Sequence, residues 1–361
     1  MKVLFVIDHL DSGGAPIVVR DLLVGMVKRG VAVTLVVLSE RVKHCLPDGV
    51  TVVRLPFVPA DRLERWRRYR LHARKLDAWL ANREADDLVV AHLHHAHQVV
   101  ARSRLGEQSW YCLHSDPVTA FLGNKSGVGR WRKRHKVRKL YSGKRLAAVS
   151  AASLQRLKAG FGVRPRDESV VYNPLDLVSI SQKMVAPVAG TPERYLVFAG
   201  RMDLRAKRFD RLLDAYQASE TELPLVLVGG GGQETAVDAL INQRGLGQRV
   251  LRLGHRENPY PYIHGAEALL LSSDYEGFSL VVAEALACGT PVVSVDCPSG
   301  PAEILTGALA EFLVPLHDIK AFADAIRRVL SAPPVIPTEA FERFRLETVV
   351  ERYLALANRH S

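Results

Sequence analysis

Ser272-Ser273-Asp274-Tyr275-Glu276-Gly277-Phe278-Ser279-Leu280-Val281-Val282-Ala283-Glu284-Ala285-Leu286-Ala287-Cys288-Gly289-Thr290-Pro291-Val292-Val293 is the most informative stretch of this 361-residue chain. The runs Ala268 to Leu271 before it and Pro291 to Val295 at its end are apolar at almost every position, the pattern of strands covered on both faces of a parallel sheet. Between them Glu276 falls in a loop after a strand, Ser279 stands where a helix cap is expected, and Glu284 lies inside an otherwise apolar helix. A carboxylate buried there is costly without a partner, so Glu284 calls for ligand hydroxyls or a structural ion pair.

The same strand-and-helix rhythm runs outward in both directions. Apolar runs recur at Tyr195 to Ala199, Leu225 to Val228 and Val250 to Leu253, and in the first half at Lys2 to Ile7, Val33 to Leu38, Val50 to Leu55, Leu88 to His92, Ser109 to Leu113 and Leu146 to Val149. Two α/β domains in series follow, expected over residues 1–171 and 193–338. The proline- and glycine-broken segment 172–192 reads as a linker, and 339–361 as a helical end with the potential to pack back on the first domain.

Three glycine loops follow strands. Gly13 and Gly14 precede a helical pattern over Ile17 to Lys28, a site for close backbone approach to an anion or simply a tight turn needing positive φ. Their spacing is not GxGxxG, which argues against a dinucleotide oxidoreductase. Gly200-Arg201 and Lys207 place two cations at the C-terminal edge of a sheet, where such chemistry suits a diphosphate, although either alone reads equally as a surface charge. The run Gly229 to Gly232 is another loop able to approach a nucleotide with its backbone.

Glu276 and Glu284 with seven residues between them, then Gly289-Thr290-Pro291-Val292-Val293, resemble the signature of retaining glycosyltransferases of family 4. The Gly13-Gly14 loop, Gly200-Arg201 with Lys207, the 229–232 loop and Pro301-Ala302-Glu303-Ile304 occur in that family's order. The resemblance implies the GT-B fold, two Rossmann-like domains facing a central cleft, with acceptor binding in the first and a nucleotide-sugar donor, UDP-linked by preference, in the second. It implies that Arg201 and Lys207 hold the donor diphosphate, aided by backbone around Gly277, Phe278, Ser279 and Leu280. Glu284 would accept from ribose hydroxyls, Glu276 would bind the transferred sugar, and Gly13, Gly14 and Gly230 would line the donor. Arg256, in the loop Gly254-His255-Arg256-Glu257, falls where the base is read. His114 falls where the family has a histidine near the donor sugar, but Ser115 replaces the usual following Asp. Asp296 to Ile304 is similar to versions in transferases of bacterial surface polysaccharide and lipopolysaccharide core. A GT-B epimerase is the rival, told apart by product formation without acceptor.

Two fixed cations and a helix N-terminus can stabilise a leaving nucleoside diphosphate in place of a divalent ion, so no metal or other cofactor is expected. His92, His94, His95 and His97 invite a zinc reading but have no acidic or Cys partner at a known ligand spacing, and read instead as loop packing or acceptor contacts. Cys45, Cys112, Cys288 and Cys297 form no CxxC pair and read as reduced core thiols.

Charge is unevenly divided. Residues 1–170 carry 31 Lys and Arg against 15 Asp and Glu, and the remainder 18 against 23. The excess concentrates in Arg62 to Lys75, with Trp66 and Tyr69 interleaved, and in Arg130 to Arg145, which holds nine cations and no acid, Arg132, Lys133, Arg134 and Lys136 among them. Basic helices with aromatics suit an anionic membrane surface, an anionic glycan or glycolipid acceptor, or single-stranded nucleic acid; a merely solvated face is the plain alternative. Nucleic acid leaves Glu276, Glu284, Arg201 and Lys207 unexplained, and is not expected as a partner. Asp8 interrupts the first apolar run too early for a signal-peptide core, and no window reaches membrane-span length, so the expected location is cytoplasmic, peripheral on the cytoplasmic face of the inner membrane.

Overall fold

The computed structural model describes residues 1–11, 13–42 and 46–358. Ser12 and Cys45 lie outside the described residues. The chain divides into two units, Met1–Pro174 with Leu346–Ser361, and Leu175–Arg345.

The first unit holds seven parallel strands: β1 (Lys2–Ile7), β2 (Ala32–Val37), β3 (Val50–Arg54), β4 (Leu88–His92), β5 (Trp110–Leu113), β6 (Arg145–Ala148) and β7 (Asp167–Val170), in the order β3-β2-β1-β4-β5-β6-β7. Central β4 and β5 are buried throughout, whereas edge strand β3 is largely exposed. Helices α1 (Gly14–Lys28), α2 (Arg62–Leu80), α3 (His94–Val100), α4 (Pro117–Leu122), α5 (Gly127–Tyr141) and α6 (Ala151–Phe161) connect them. β7 escaped the sequence reading because Asp-Glu-Ser-Val is a polar edge strand with no apolar run.

The second unit has six parallel strands: β8 (Leu196–Ala199), β9 (Leu225–Val228), β10 (Val250–Gly254), β11 (Ala268–Leu271), β12 (Val292–Asp296) and β13 (Leu313–Pro315), in the order β10-β9-β8-β11-β12-β13. Its helices are α7 (Leu177–Lys183), α8 (Leu204–Lys207), α9 (Phe209–Ala218), α10 (Glu234–Gln243), α11 (Tyr260–His264), α12 (Leu280–Ala287), α13 (Pro301–Ile304), α14 (Ile319–Ser331) and α15 (Glu339–Glu342). In each sheet the strand order reverses next to the first strand, between β1 and β4 and between β8 and β11, and the loops leaving such a switch point form a crevice.

The segment expected as a linker over 172–192 is instead largely part of the second unit. Asp176 caps α7 by accepting from Ser179 N at 2.9 Å, and the helix packs on α11 and α12. The chain therefore passes between units at Pro174–Leu175 and again at Arg345–Leu346. Its last helix, α16 (Leu346–Ala355), belongs to the first unit and packs on α1. Gly25 makes room for it: a Cβ there would lie 2.7 Å from Val350 Cγ2. Tyr353 and the Leu356 carbonyl then reach Cys112 Sγ and Trp110 Nε1, each at 3.2 Å.

Candidate functional site

At the C-terminal edge of the second sheet, the loops leaving β8, β9 and β10 are laced through glycine backbone. Gly200 N donates to Val228 O, Met202 N to Gly230 O, and Gly229 N to Gly254 O, all at 2.8–2.9 Å. Gly229 (φ 143°) and Gly231 (φ 148°) adopt backbone that L side chains rarely tolerate, and Gly231 passes against the backbone of Met202. A Cβ on Gly230 would lie 3.5 Å from His255 Cβ, so the predicted Gly230 and the base-loop segment beside Arg256 are neighbours. Arg256 itself is exposed, its guanidinium over the Tyr262 ring.

Across the switch point the loop leaving β8 meets the loop leaving β11. Lys207 Nζ lies 2.6 Å from Glu276 Oε1, and Ser273 Oγ donates to the same oxygen at 2.7 Å. Both charged side chains are about 15% exposed, at 14% and 15%. Glu276 Oε2 has no hydrogen bond among the described residues, so it remains an acceptor for a ligand hydroxyl. Asp203 caps α8 through Arg205 N and Ala206 N, Ser272 Oγ donates to Lys207 O, and Asp274 N to Ala206 O, which clamps the two loops. Beneath them Asp274 accepts from Arg208 at 3.0 Å and Arg211 at 2.7 Å, and Arg211 also holds the Ser272 carbonyl. Arg201, by contrast, is 68% exposed, with Asp203 at 3.9 Å.

Ser279 corrects one expectation. It stands at the N-cap position of α12, but its φ is 66° and its side chain makes no cap hydrogen bond. The loop is instead buttressed by the turn Pro298 to Gly300. Ser299 Oγ donates at 2.6 Å to the Glu276 carbonyl, and Gly300 passes so close that a Cβ would lie 2.9 Å from the Phe278 carbonyl carbon and Ser279 Oγ. Phe278 is buried, edge-on to Phe344 with ring centroids 4.9 Å apart, and Gly277 and Leu280 flank this anchored stretch. Glu284 differs too: it lies on the half-buried face of α12 rather than in the core, and accepts from Tyr260 Oη at 3.1 Å. Ser299 and Tyr260 were missed because their contacts with Glu276 and Glu284 span 23 and 24 positions, which no local pattern signals.

In the first unit, Gly13 caps α1 with φ 109°, a position that requires glycine, and open space surrounds both Gly13 and Gly14. Asp8, leaving β1, accepts from His95 N and Ala96 N across the switch point, and burial pushes its carboxyl up to about 6. His114 Nε2 lies 2.9 Å from His92 Nδ1, and burial holds His114 down at about 4. Sequence spacing gave these histidines no cysteine partner, but the pairing of β4 with β5 sets Cys112 beside His92. Ligand atoms of His92, Cys112 and His114 lie within 4.8 Å of one another. Burial pushes the Cys112 thiol up to about 12, and its Sγ lies 3.2 Å from Tyr353 Oη. Cys112, Cys288 and Cys297 are free and buried.

The basic cluster is split by the helix period. On α5, Arg132 and Arg134 are exposed, whereas Lys133 turns inward, its Nζ 4.9 Å from the Phe121 ring centroid, and lines a groove together with Lys136. Trp66 on α2 and Trp131 on α5 are 78% and 68% exposed. No helix among the described residues is long and apolar enough to cross a membrane.

Two doubly wound parallel sheets whose second member carries a glycine-laced loop edge and a Lys–Glu pair at the switch point define a GT-B-type α/β protein. Solved structures agree over 99% of this chain: WaaB, a lipopolysaccharide outer core galactosyltransferase (TM-score 0.72, 20% identity, 99% of that chain), and HepE from Anabaena in complex with UDP and glucose (TM-score 0.75, 20% identity, all of that chain). Residues 12–179 match Glycosyltransferase Family 4, and residues 193–332 match the family described as Glycosyl transferases group 1. The chain therefore carries a family 4 glycosyltransferase domain followed by a group 1 glycosyltransferase domain. It is 36% identical over 155 residues to the N-acetylgalactosamine-N,N'-diacetylbacillosaminyl-diphospho-undecaprenol 4-alpha-N-acetylgalactosaminyltransferase of Campylobacter jejuni, a match covering 43% of this chain and 42% of that protein. It is 29% identical over 231 residues to the lipopolysaccharide 1,6-galactosyltransferase of Salmonella typhimurium, covering 61% and 63%. The matched region thus spans about two fifths to under two thirds of these curated relatives.

Proposed function

We propose that this protein transfers a sugar from a nucleotide-sugar, UDP-linked, to a hydroxyl of an anionic glycan or glycolipid in lipopolysaccharide or surface-polysaccharide assembly, with retention of anomeric configuration. The observation that carries this reading is the Lys207–Glu276 pair, set at the switch point beside the glycine loops. Lys207 and Arg201 would neutralise the charge that develops on the leaving diphosphate, backbone from Gly277 to Leu280 would donate to it, and no divalent ion is required. Glu276 Oε2 would accept from the transferred sugar, which fixes the reacting carbon, and Glu284 from the ribose, sharing its carboxylate with Tyr260. His114 keeps the donor-sugar role that the family resemblance gives it, and its Nδ1 has no hydrogen bond among the described residues. HepE's complex with UDP and glucose, and the two relatives' names, support the donor and acceptor classes.

The reaction belongs, in this reading, on the cytoplasmic face of the inner membrane. Exposed Trp66 and Trp131 among Arg132, Arg134 and their neighbours suit an anionic lipid surface better than plain solvation, because indole rings settle at the headgroup level. A thermal-shift panel of UDP-, GDP-, ADP- and CMP-sugars tests the donor. Stabilisation by a UDP-sugar, followed by acceptor-dependent product, supports the proposal; product without acceptor marks an epimerase instead.

A further inference from the structure

We infer that the first unit carries an anion site of its own, in the groove between α2 and α5, and that its ligand is the diphosphate of a lipid-linked glycan. This deepens the proposed function by giving the acceptor's chemical class, and rests on that reading for the acceptor's role.

The groove encloses about 820 Å³, within the roughly 300–1,000 Å³ of small-molecule sites. The turn after α3 supplies Arg102 to it, α2 supplies Arg65 and Arg68, and α5 supplies Lys133, Lys136 and Lys139; no carboxylate lines it. None of these six is ion-paired among the described residues, whereas Lys144, which also lines the groove, pairs with Glu107, and the unit pairs other cations as in Arg20–Asp21 and Arg156–Asp116. Arg68 and Arg102 are held by neutral groups instead. Arg68 lies 4.5 Å over the Tyr69 ring and donates to its hydroxyl at 2.9 Å; Arg102 lies 5.6 Å from the same ring and donates to Gln98 Oε1 at 2.8 Å. Tyr69 thus carries two guanidiniums, preorganised with donors to spare.

Clustering like charges is costly, and here the cost is visible: burial and then the neighbouring lysines Lys136 and Lys125 draw Lys133 below its ordinary range, and burial does the same to Arg102. Folding gains nothing from such a cluster, whereas a bound polyanion would relieve it. Guanidinium forks on α2 and on the turn after α3, with ammonium groups on α5, match the several oxygens of a diphosphate, and a walled groove selects a compact anion over a polymer strand. Trp66 lines the groove while standing 78% exposed, which places a lipid-facing ring at its mouth.

The test is calorimetric titration of the full chain with geranyl diphosphate and inorganic pyrophosphate, with UDP saturating so that the donor loops are occupied. Arg68→Gln with Arg102→Gln should weaken geranyl diphosphate at least tenfold while UDP affinity, measured separately, stays native. Arg132→Ser with Arg134→Ser, outside the groove, should leave geranyl diphosphate binding intact and reduce sedimentation with phosphatidylglycerol vesicles. Native-like geranyl diphosphate binding by the groove variant would overturn the assignment, as would failure of the native protein to bind either diphosphate. If the groove variant loses only vesicle sedimentation, the groove is a bare headgroup surface and the diphosphate assignment falls. Failure of UDP to bind would instead strike the donor reading, leaving pyrophosphate titration of the groove informative.

Discussion

Gly229 and Gly200 approach so closely that a Cβ on Gly229 would lie 1.8 Å from the Gly200 carbonyl oxygen. Two loops at the C-terminal edge of the sheet are thereby locked together, with a positive φ at Gly229 that an alanine would strain. Gly229→Ala should cost at least about 2 kcal/mol of stability, through strain and overpacking, and should weaken nucleotide binding in whatever protein still folds. Gly14→Ala, in open space, should be close to neutral. Urea melts of the two variants make the comparison; equal midpoints would show that the loops part without cost.

Replacing Lys207 or Arg201 by Ala should remove on the order of 2–4 kcal/mol of transition-state stabilisation, while EDTA leaves the rate unchanged. Lys207→Ala should be the more damaging for sugar transfer, since it also leaves Glu276 Oε1 with the Ser273 hydroxyl alone among the described residues. Steady-state rates with and without chelator decide; strict dependence on a divalent ion would refute the assignment.

The two carboxylates should separate. Glu284→Gln is expected to weaken the free nucleoside diphosphate, and Tyr260→Phe to do so less, because that hydroxyl orients the carboxylate without replacing it. Glu276→Gln should spare nucleotide binding and impair transfer. Calorimetry with UDP distinguishes them, and native affinity in Glu284→Gln would make the residue purely structural.

Acid should destabilise the first unit. Burial holds His97 at about 3 and His114 at about 4, below the ordinary 6.5, so the folded state binds fewer protons than the unfolded chain through this range. Their contribution is fully present above pH 6.5 and is lost as pH falls toward 4, at about 1.4 kcal/mol per pH unit for each group. Asp8, raised to about 6, acts in the opposite sense, its contribution falling as pH climbs from about 4 to 6. Denaturation midpoints between pH 7 and 5 should therefore fall in the native protein, and fall more steeply in Asp8→Asn. A flat profile would contradict the buried neutral imidazoles.

Changing Arg132, Lys133, Arg134 and Lys136 together to Ser should abolish sedimentation with anionic vesicles, with about 1 kcal/mol from each cation at the surface and less at high salt. Lys133, turned onto Phe121, should contribute less than Arg132 or Arg134. Single variants measured at two salt concentrations check the ranking.

Local pattern determined most of the architecture. Apolar runs such as Leu225 to Val228 and Ala268 to Leu271 specify strands buried on both faces, because no other element hides every side chain of so short a segment. The spacing of Glu276 and Glu284 and the order of the glycine loops likewise identified the family from the chain alone. Tertiary structure decided what depends on distant partners: that Lys207 meets Glu276 across 69 positions, that the Tyr260 hydroxyl reaches Glu284, and that Ser299 rather than a Ser279 cap supports the loop. It also divided Lys133 and Lys136 from Arg132 and Arg134, which sequence reads as one charge run. Charge along a helix is legible as composition, but which of its faces meets solvent is settled by the neighbours packed against it.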